Sequence, residues 1–178
     1  FTAIPVFPRR LFSLSQMWVN TNAGINSPQD LIGRKVGLST FQTTLSVLAK
    51  GDLQAEYGVP WRKLDWYMSK DEAVPIKPID GVNMQILKPG QKIGSMLEKG
   101  EIDALMVPHP PKEALRGGGN IRRLFADPKA EEMKYFRKNG YYPIMHVVAF
   151  KDQVLAQNPW LARSVMEVFD RAKETCVE

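Results

Sequence analysis

KVGLSTFQTTLSVLAKGDLQAEYG, residues 35–58, carries the reading that decides the fold. Lys35 to Leu38 read as a short strand, apolar after its first residue, and Ser39-Thr40-Phe41-Gln42-Thr43-Thr44 follow, mostly with hydroxyl and amide side chains. A helix then begins at Thr43-Thr44, turns Leu45, Leu48, Ala49 and Leu53 inward, and stops at Tyr57-Gly58, where glycine adopts the left-handed C-cap conformation. Gly51 weakens its middle. A strand that feeds a helix is the repeating unit of an α/β fold.

The same alternation extends in both directions. Short apolar runs bounded by Gly or Pro predict strands at 2–7, 16–20, 65–68, 84–87, 104–107, 122–125 and 145–150. A helix is expected at 127–138, with Glu131 and Glu132 early, Arg137 and Lys138 late and Asn139-Gly140 closing it, so its charges follow the helix dipole. A C-terminal helix starts at Asn158-Pro159, with Asn158 as cap, Pro159 in the first turn, and Leu161, Val165, Phe169 and Ala172 on one face. Short helical turns are expected at 27–31 and 93–99, and the Pro-rich stretch 69–89 reads as a loop wrapping the surface.

Composition narrows the function classes. With 178 residues, 44% hydrophobic and 24% charged, the chain makes one sizeable domain or a lobe of something larger, and disorder or collagen is excluded. Lys and Arg number 24 against 19 Asp and Glu, a net charge of +5, but the basic residues stand in separated pairs such as Arg9-Arg10, Arg34-Lys35 and Arg122-Arg123. That spacing argues against nucleic acid and suits a small anionic ligand. Cys176 is the single cysteine, so an intrachain disulfide and a multi-cysteine metal site are both excluded. The apolar run 144–150 is far shorter than the about 20 residues of a membrane span. The chain opens at Phe1 in what reads as a strand under way, so its natural start is expected upstream.

Several motifs are absent. Gly117-Gly118-Gly119 lacks the downstream Lys-Ser/Thr of a phosphate-binding loop and reads as a flexible turn. His109 and His146 have no metal-ligand spacing, and no Ser sits in a Gly-x-Ser-x-Gly turn, so neither a metal site nor a serine hydrolase is expected. The segment from Gly37 to Thr44 is the informative one. A strand running into a helix start presents orphan N–H groups and a positive dipole end, and Thr40, Gln42, Thr43 and Thr44 add donors for a carboxylate or phosphate. The competing reading is that Thr43 or Thr44 only caps its own helix. His109, flanked by Pro108, Pro110 and Pro111 after a strand, is either displayed in a cleft or an ordinary surface histidine. His146, inside an apolar strand, is either a satisfied core histidine or a functional one. Arg10 either clamps a carboxylate bidentately or pairs on the surface.

Taken as a series, Ile4-Pro5-Val6-Phe7-Pro8-Arg9-Arg10-Leu11-Phe12, Asp30-Leu31-Ile32-Gly33-Arg34-Lys35-Val36-Gly37 and Glu56-Tyr57-Gly58-Val59 resemble the 4,5-dihydroxyphthalate decarboxylase family. Gly100-Glu101-Ile102-Asp103-Ala104-Leu105, Arg122-Arg123-Leu124-Phe125, Tyr142-Pro143-Ile144-Met145-His146 and Asn158-Pro159-Trp160-Leu161 follow in the family's order. The resemblance implies a type 2 periplasmic-binding-protein-like α/β fold, in which two lobes joined by crossing strands close over a ligand. This chain then corresponds mainly to the second lobe with crossover strands and a C-terminal helix: 1–20 as crossover or hinge, 21–140 as the ligand-binding lobe, 141–178 as the return strand and helix. The first lobe is expected to come from elsewhere, and without it the chain is expected to be sticky or dimeric.

The implied function is cofactor-independent, non-oxidative decarboxylation of a small aromatic carboxylate in the interdomain cleft, with no metal. Arg10, Gln42, Thr44 and His146 match positions the family pattern keeps, and on that basis His146 is expected to transfer a proton, Arg10 to clamp a carboxylate, Thr40, Gln42, Thr43 and Thr44 to orient the ligand, and His109, which departs from the pattern, to take a secondary proton or hydrogen-bond role. The family's Arg-His stands here as Ser13-Leu14, its Tyr as Phe41, its Trp as Leu48, its following Arg as Lys50, and another Arg as His109. Most of these replacements remove cationic or polar groups that a doubly charged ligand needs. The alternative is a non-catalytic solute-binding protein of an ABC-type transporter or a sensor, which the same fold serves equally well. The enzyme is expected in the cytoplasm, the receptor outside it.

Overall fold

The computed structural model describes residues 1–117 and 119–177, so Gly118, in the expected glycine turn, lies outside the described residues. The described strands are β1 (Thr2–Arg10), β2 (Met17–Asn20), β3 (Lys35–Leu38), β4 (Asp65–Met68), β5 (Met84–Ile86), β6 (Ala104–Met106), β7 (Ile121–Arg123) and β8 (Ile144–Phe150). The helices are α1 (Thr44–Tyr57), α2 (Ile93–Lys99), α3 (Lys112–Leu115), α4 (Pro128–Asn139), α5 (Asp152–Gln157) and α6 (Leu161–Val177). They fall into two units, Phe12–Gly140 and the pair of segments Phe1–Leu11 and Tyr141–Glu178.

In the larger unit six strands form one sheet in the order β5-β4-β3-β6-β2-β7. β3 lies parallel to β4 and β6, and β2 runs antiparallel to β6 and β7. Strand side chains alternate between the two faces. Val36, Leu38, Trp66, Met68, Ala104 and Met106 face one way and pack with Ala49 and Leu53 of α1. Leu105 and Trp18 face the other way, against Met96 and Leu97 of α2. From β3 the chain moves outward to β4 and β5, then returns past β3 to β6, so crossovers in opposite directions place α1 and α2 on opposite faces.

Gly37 sits where α2's side of the sheet is tightest. A Cβ there would lie 2.7 Å from a methyl of Ile93, 2.8 Å from one of Ile102 and 2.9 Å from one of Leu105. Gly37→Val therefore overpacks that face and is expected to destabilise the lobe by about 1–3 kcal/mol, measured by urea unfolding. An unchanged midpoint would show that the three methyls move aside freely.

The smaller unit contains an antiparallel ribbon of β1 and β8. Ile4 pairs with Val148, but the register has shifted by Arg9, opposite His146, and shifts again at Arg10, opposite Ile144. Pro5 and Pro8 lie in the irregular stretch; without an N–H they interrupt a ladder, as prolines in strands do. α6 packs on β1.

Local expectations are met closely in the lobe. β3, β4 and α2 have the predicted bounds. Thr43 caps α1 and Gly58 closes it in the left-handed conformation. Asp127 caps α4, and Gly140 ends it in the same way as Gly58. At the C-terminus the expectation is corrected: the Asn158 amide donates to the Val154 carbonyl, serving the end of α5, and α6 begins only at Leu161. Its expected inner face is partly open, since Phe169 and Ala172 are exposed. β7 is bounded at Arg123; Leu124 still donates its N–H to the Met17 carbonyl of β2, and Leu124 and Phe125 are buried in the core.

Candidate functional site

The strand order reverses between β3 and β6, so the segments leaving their C-terminal ends diverge. This switch point is where open α/β sheets bind ligands. The segment after β3 carries Thr40, Gln42, Thr43 and Thr44; the one after β6 carries His109, exposed on a bend. β4 ends on the same edge, and its ladder continues for two residues, with Ser69 donating to the Leu38 carbonyl and Lys70 to that of Ser39.

The loop after β3 holds a carboxylate from its own chain. The backbone N–H groups of Phe41 and Gln42 donate to the two oxygens of Glu72. The Gln42 side-chain amide donates to Glu72 Oε2 at 3.2 Å and to the Val74 carbonyl at 2.7 Å. Two consecutive amides and a side-chain donor converge on one carboxylate; the amides precede the cap Thr43, so they are loop donors and not the first-turn N–H groups that the sequence suggests. Thr43 has the capping role instead: its Oγ1 accepts from the Ser46 N–H at 3.4 Å and shares a 2.7 Å hydroxyl contact with Ser46. The Ser46 hydroxyl bonds the Thr40 carbonyl, at 2.7 Å in another contact that fixes the loop. Thr44 opens α1 and is exposed.

Beneath this loop lies Lys50, whose ammonium donates to the Phe41 carbonyl at 2.7 Å. It sits 3.0 Å from the Phe41 ring centre and 5.8 Å from each of the Trp61 and Trp66 rings. Burial pushes its pKa down to about 8, with Glu72 pulling the other way. Beside it opens a cavity of about 540 Å³ lined by Phe41, Gln42, Val47, Trp61, Ile76 and Ile79 among others. Ser13, at one of the positions where the family's cationic residues are replaced, is buried and donates to Asp52, whose carboxyl is pushed up by burial.

Arg10 and His146 lie on the ribbon. Arg10 is exposed and stacks its guanidinium 5.7 Å from the Phe7 ring centre. His146 is exposed too, so the core-histidine reading is corrected: β8 turns Met145 inward and leaves its neighbour on the open face. Glu72 and Lys50 are the groups that the sequence reading did not assign to the site. Among the described residues, no group of three or more His, Cys, Asp or Glu side chains is gathered as a metal needs, and no helix is long and apolar enough to cross a membrane.

No protein-family model matches the chain. A curated 4,5-dihydroxyphthalate decarboxylase of Comamonas testosteroni is 31% identical over 179 residues, 97% of this chain and 54% of that protein. A second, of Pseudomonas putida, is 25% identical over 147 residues, 79% of this chain and 57% of that protein. The chain thus spans about half the length of the curated relatives it matches. Among solved structures, the periplasmic aliphatic sulphonate binding protein SsuA of Escherichia coli aligns at a TM-score of 0.45 and 20% identity, over 92% of this chain and 50% of that one. A mutant of ArgBP from T. maritima aligns at 0.34 and 14%, over 97% and 58%. The structure itself shows a six-stranded α/β lobe, a two-stranded ribbon and a C-terminal helix, the α/β class that the alternation of strands and helices predicts. By sequence, over nearly its whole length, the chain is similar to curated 4,5-dihydroxyphthalate decarboxylases.

Proposed function

We propose that the protein carrying this chain binds a small aromatic carboxylate at the loop after β3 and releases one carboxyl group as CO2, as a 4,5-dihydroxyphthalate decarboxylase-like carboxy-lyase. The observation that carries this reading is the Glu72 carboxylate lodged on the Phe41 and Gln42 amides. The names of the relatives support the substrate class, and the switch point supports the place.

The reaction needs no cofactor. A hydroxyl para to the departing group gives up its proton and pushes an electron pair into the ring, and the ring carbon bearing the carboxylate takes up a proton. The bond to the carboxylate then breaks, its electron pair restores aromaticity as the phenolate, the phenolate takes its proton back from the base, and a dihydroxybenzoate and CO2 leave. One proton has replaced one carboxyl group. In this proposal His146 moves the proton, Arg10 clamps the retained carboxylate, and Gln42 with Thr40 and Thr44 orients the acid, on a loop that Thr43 fixes by capping α1. His109, after β6, supplies a secondary proton or hydrogen bond.

Incubation with 4,5-dihydroxyphthalate is expected to release CO2 and one equivalent of dihydroxybenzoate. His146→Ala is expected to lower kcat by roughly 10²–10⁴-fold, the usual contribution of a positioned acid or base. Arg10→Ala is expected to raise KM. Tight binding without turnover would overturn the enzyme reading in favour of a solute receptor, and an unchanged rate in His146→Ala would remove that residue from the chemistry.

A further inference from the structure

We infer that Glu72 is a built-in competitor for the ligand carboxylate, an autoinhibitory contact that a ligand must displace. This rests on reading the loop after β3 as the carboxylate site and adds what governs access to it. Glu72 belongs to the segment that leaves β4, 30 residues along the chain from Gln42. The segment is tied down at two points: the Glu72 carboxylate on the Phe41 and Gln42 amides, and the Val74 carbonyl on the Gln42 side chain. Both ties use donors of the same loop.

Beyond Val74 the segment brings Ile76 and Ile79 down against the core, where they line the cavity that also exposes Phe41, Lys50 and Trp61. On its other side Glu72 and Ile76 line a second cavity, of about 440 Å³, together with Met68, Val82, Met84 and Ile86 among others. The strap therefore divides two hollows, with Glu72 as the polar pin that holds it across them. An aromatic acid whose carboxylate takes the place of Glu72 satisfies the same donors and frees the strap, and its ring meets the apolar walls that Ile76 and Ile79 now cover. A strap closed nine-tenths of the time weakens apparent affinity by about tenfold, since only the open fraction binds.

The test titrates benzoate, with phthalate as the doubly charged comparison, into the wild-type chain and into Glu72→Ala and Glu72→Gln, by calorimetry. Both variants are expected to bind benzoate about tenfold more tightly than the wild type. In the wild type, saturating benzoate is expected to speed hydrogen exchange of the backbone amides in 71–82. Equal or weaker binding by both variants, with the wild type binding, overturns the competitor and leaves the loop site standing. If neither variant folds, the wild-type exchange experiment decides, and unchanged exchange at saturation overturns the strap. Folded proteins that all fail to bind benzoate and phthalate overturn the loop site itself, and the inference falls with it.

Discussion

Trp66→Ala should cost the lobe about 3–5 kcal/mol, the range for removing a large aromatic side chain from a core that closes only partly around the gap. Trp66 is 0% exposed and is among the largest fully buried side chains of β4 and its neighbours. Its indole N–H donates to the Trp61 carbonyl at 2.9 Å, and its ring meets Phe41 edge-on at 5.9 Å and 81°. Alanine thus removes the packing beneath β3 and α1 and leaves the Trp61 carbonyl without its donor. It also opens one wall of the aromatic cage around Lys50. Domains of this kind are stable by about 5–15 kcal/mol, so the loss is a large share of the whole. With a urea slope of about 1–3 kcal/mol/M, the midpoint should fall by more than 1 M. Trp160→Ala is the control: that side chain is 63% exposed, and its loss should shift stability by no more than about 0.5 kcal/mol. Equal shifts for the two variants would mean that the buried indole packs no better than the exposed one.

The contrast between these two tryptophans marks how far the sequence is legible. α1 and α4 were readable at both ends because a Thr or Asp cap and a left-handed glycine act within a few residues of themselves. β3 was readable because Val36, Gly37 and Leu38 are apolar and followed at once by helix-starting residues. Asn158 misled because two helices meet there: its side-chain N–H serves the end of α5, and α6 starts only at Leu161. In the loop after β3 the Gln42 amide does touch a carboxylate, but the other donors are the backbone amides of Phe41 and Gln42, which side-chain chemistry does not announce, and Glu72 as their occupant was not legible. Glu72 reaches Gln42 only because β4 lies parallel to β3 and delivers the next segment to the same edge, a tertiary fact with no local signal. Lys50 was visible only as a substitution within the family pattern; its burial follows from the rings of Phe41, Trp61 and Trp66, which come from three separate places in the chain.

That burial makes stability depend on pH in a direction opposite to the usual alkaline loss. The Lys50 ammonium is taken out of water first of all by packing, and the rings and the Phe41 carbonyl return only part of its hydration, so it loses its proton at about 8 in place of the ordinary 10.5. Between those two values the unfolded chain holds the proton and the folded chain has released it. Stability therefore rises as pH climbs through that interval and is level in this respect below it, where both forms are charged. Tyr57 works the other way above pH 10: burial first, then Glu131, raises its phenol, so the unfolded chain ionises before the folded one and stability falls. The interval from pH 8 to 10 thus isolates Lys50, and a gain of about 2–3 kcal/mol is expected across it in urea unfolding at constant ionic strength. Lys50→Met keeps the volume and removes the titration, so its stability should be level over the same interval. Equal slopes in the two proteins would mean that water reaches the ammonium, and that the Phe41, Trp61 and Trp66 rings do not enclose it.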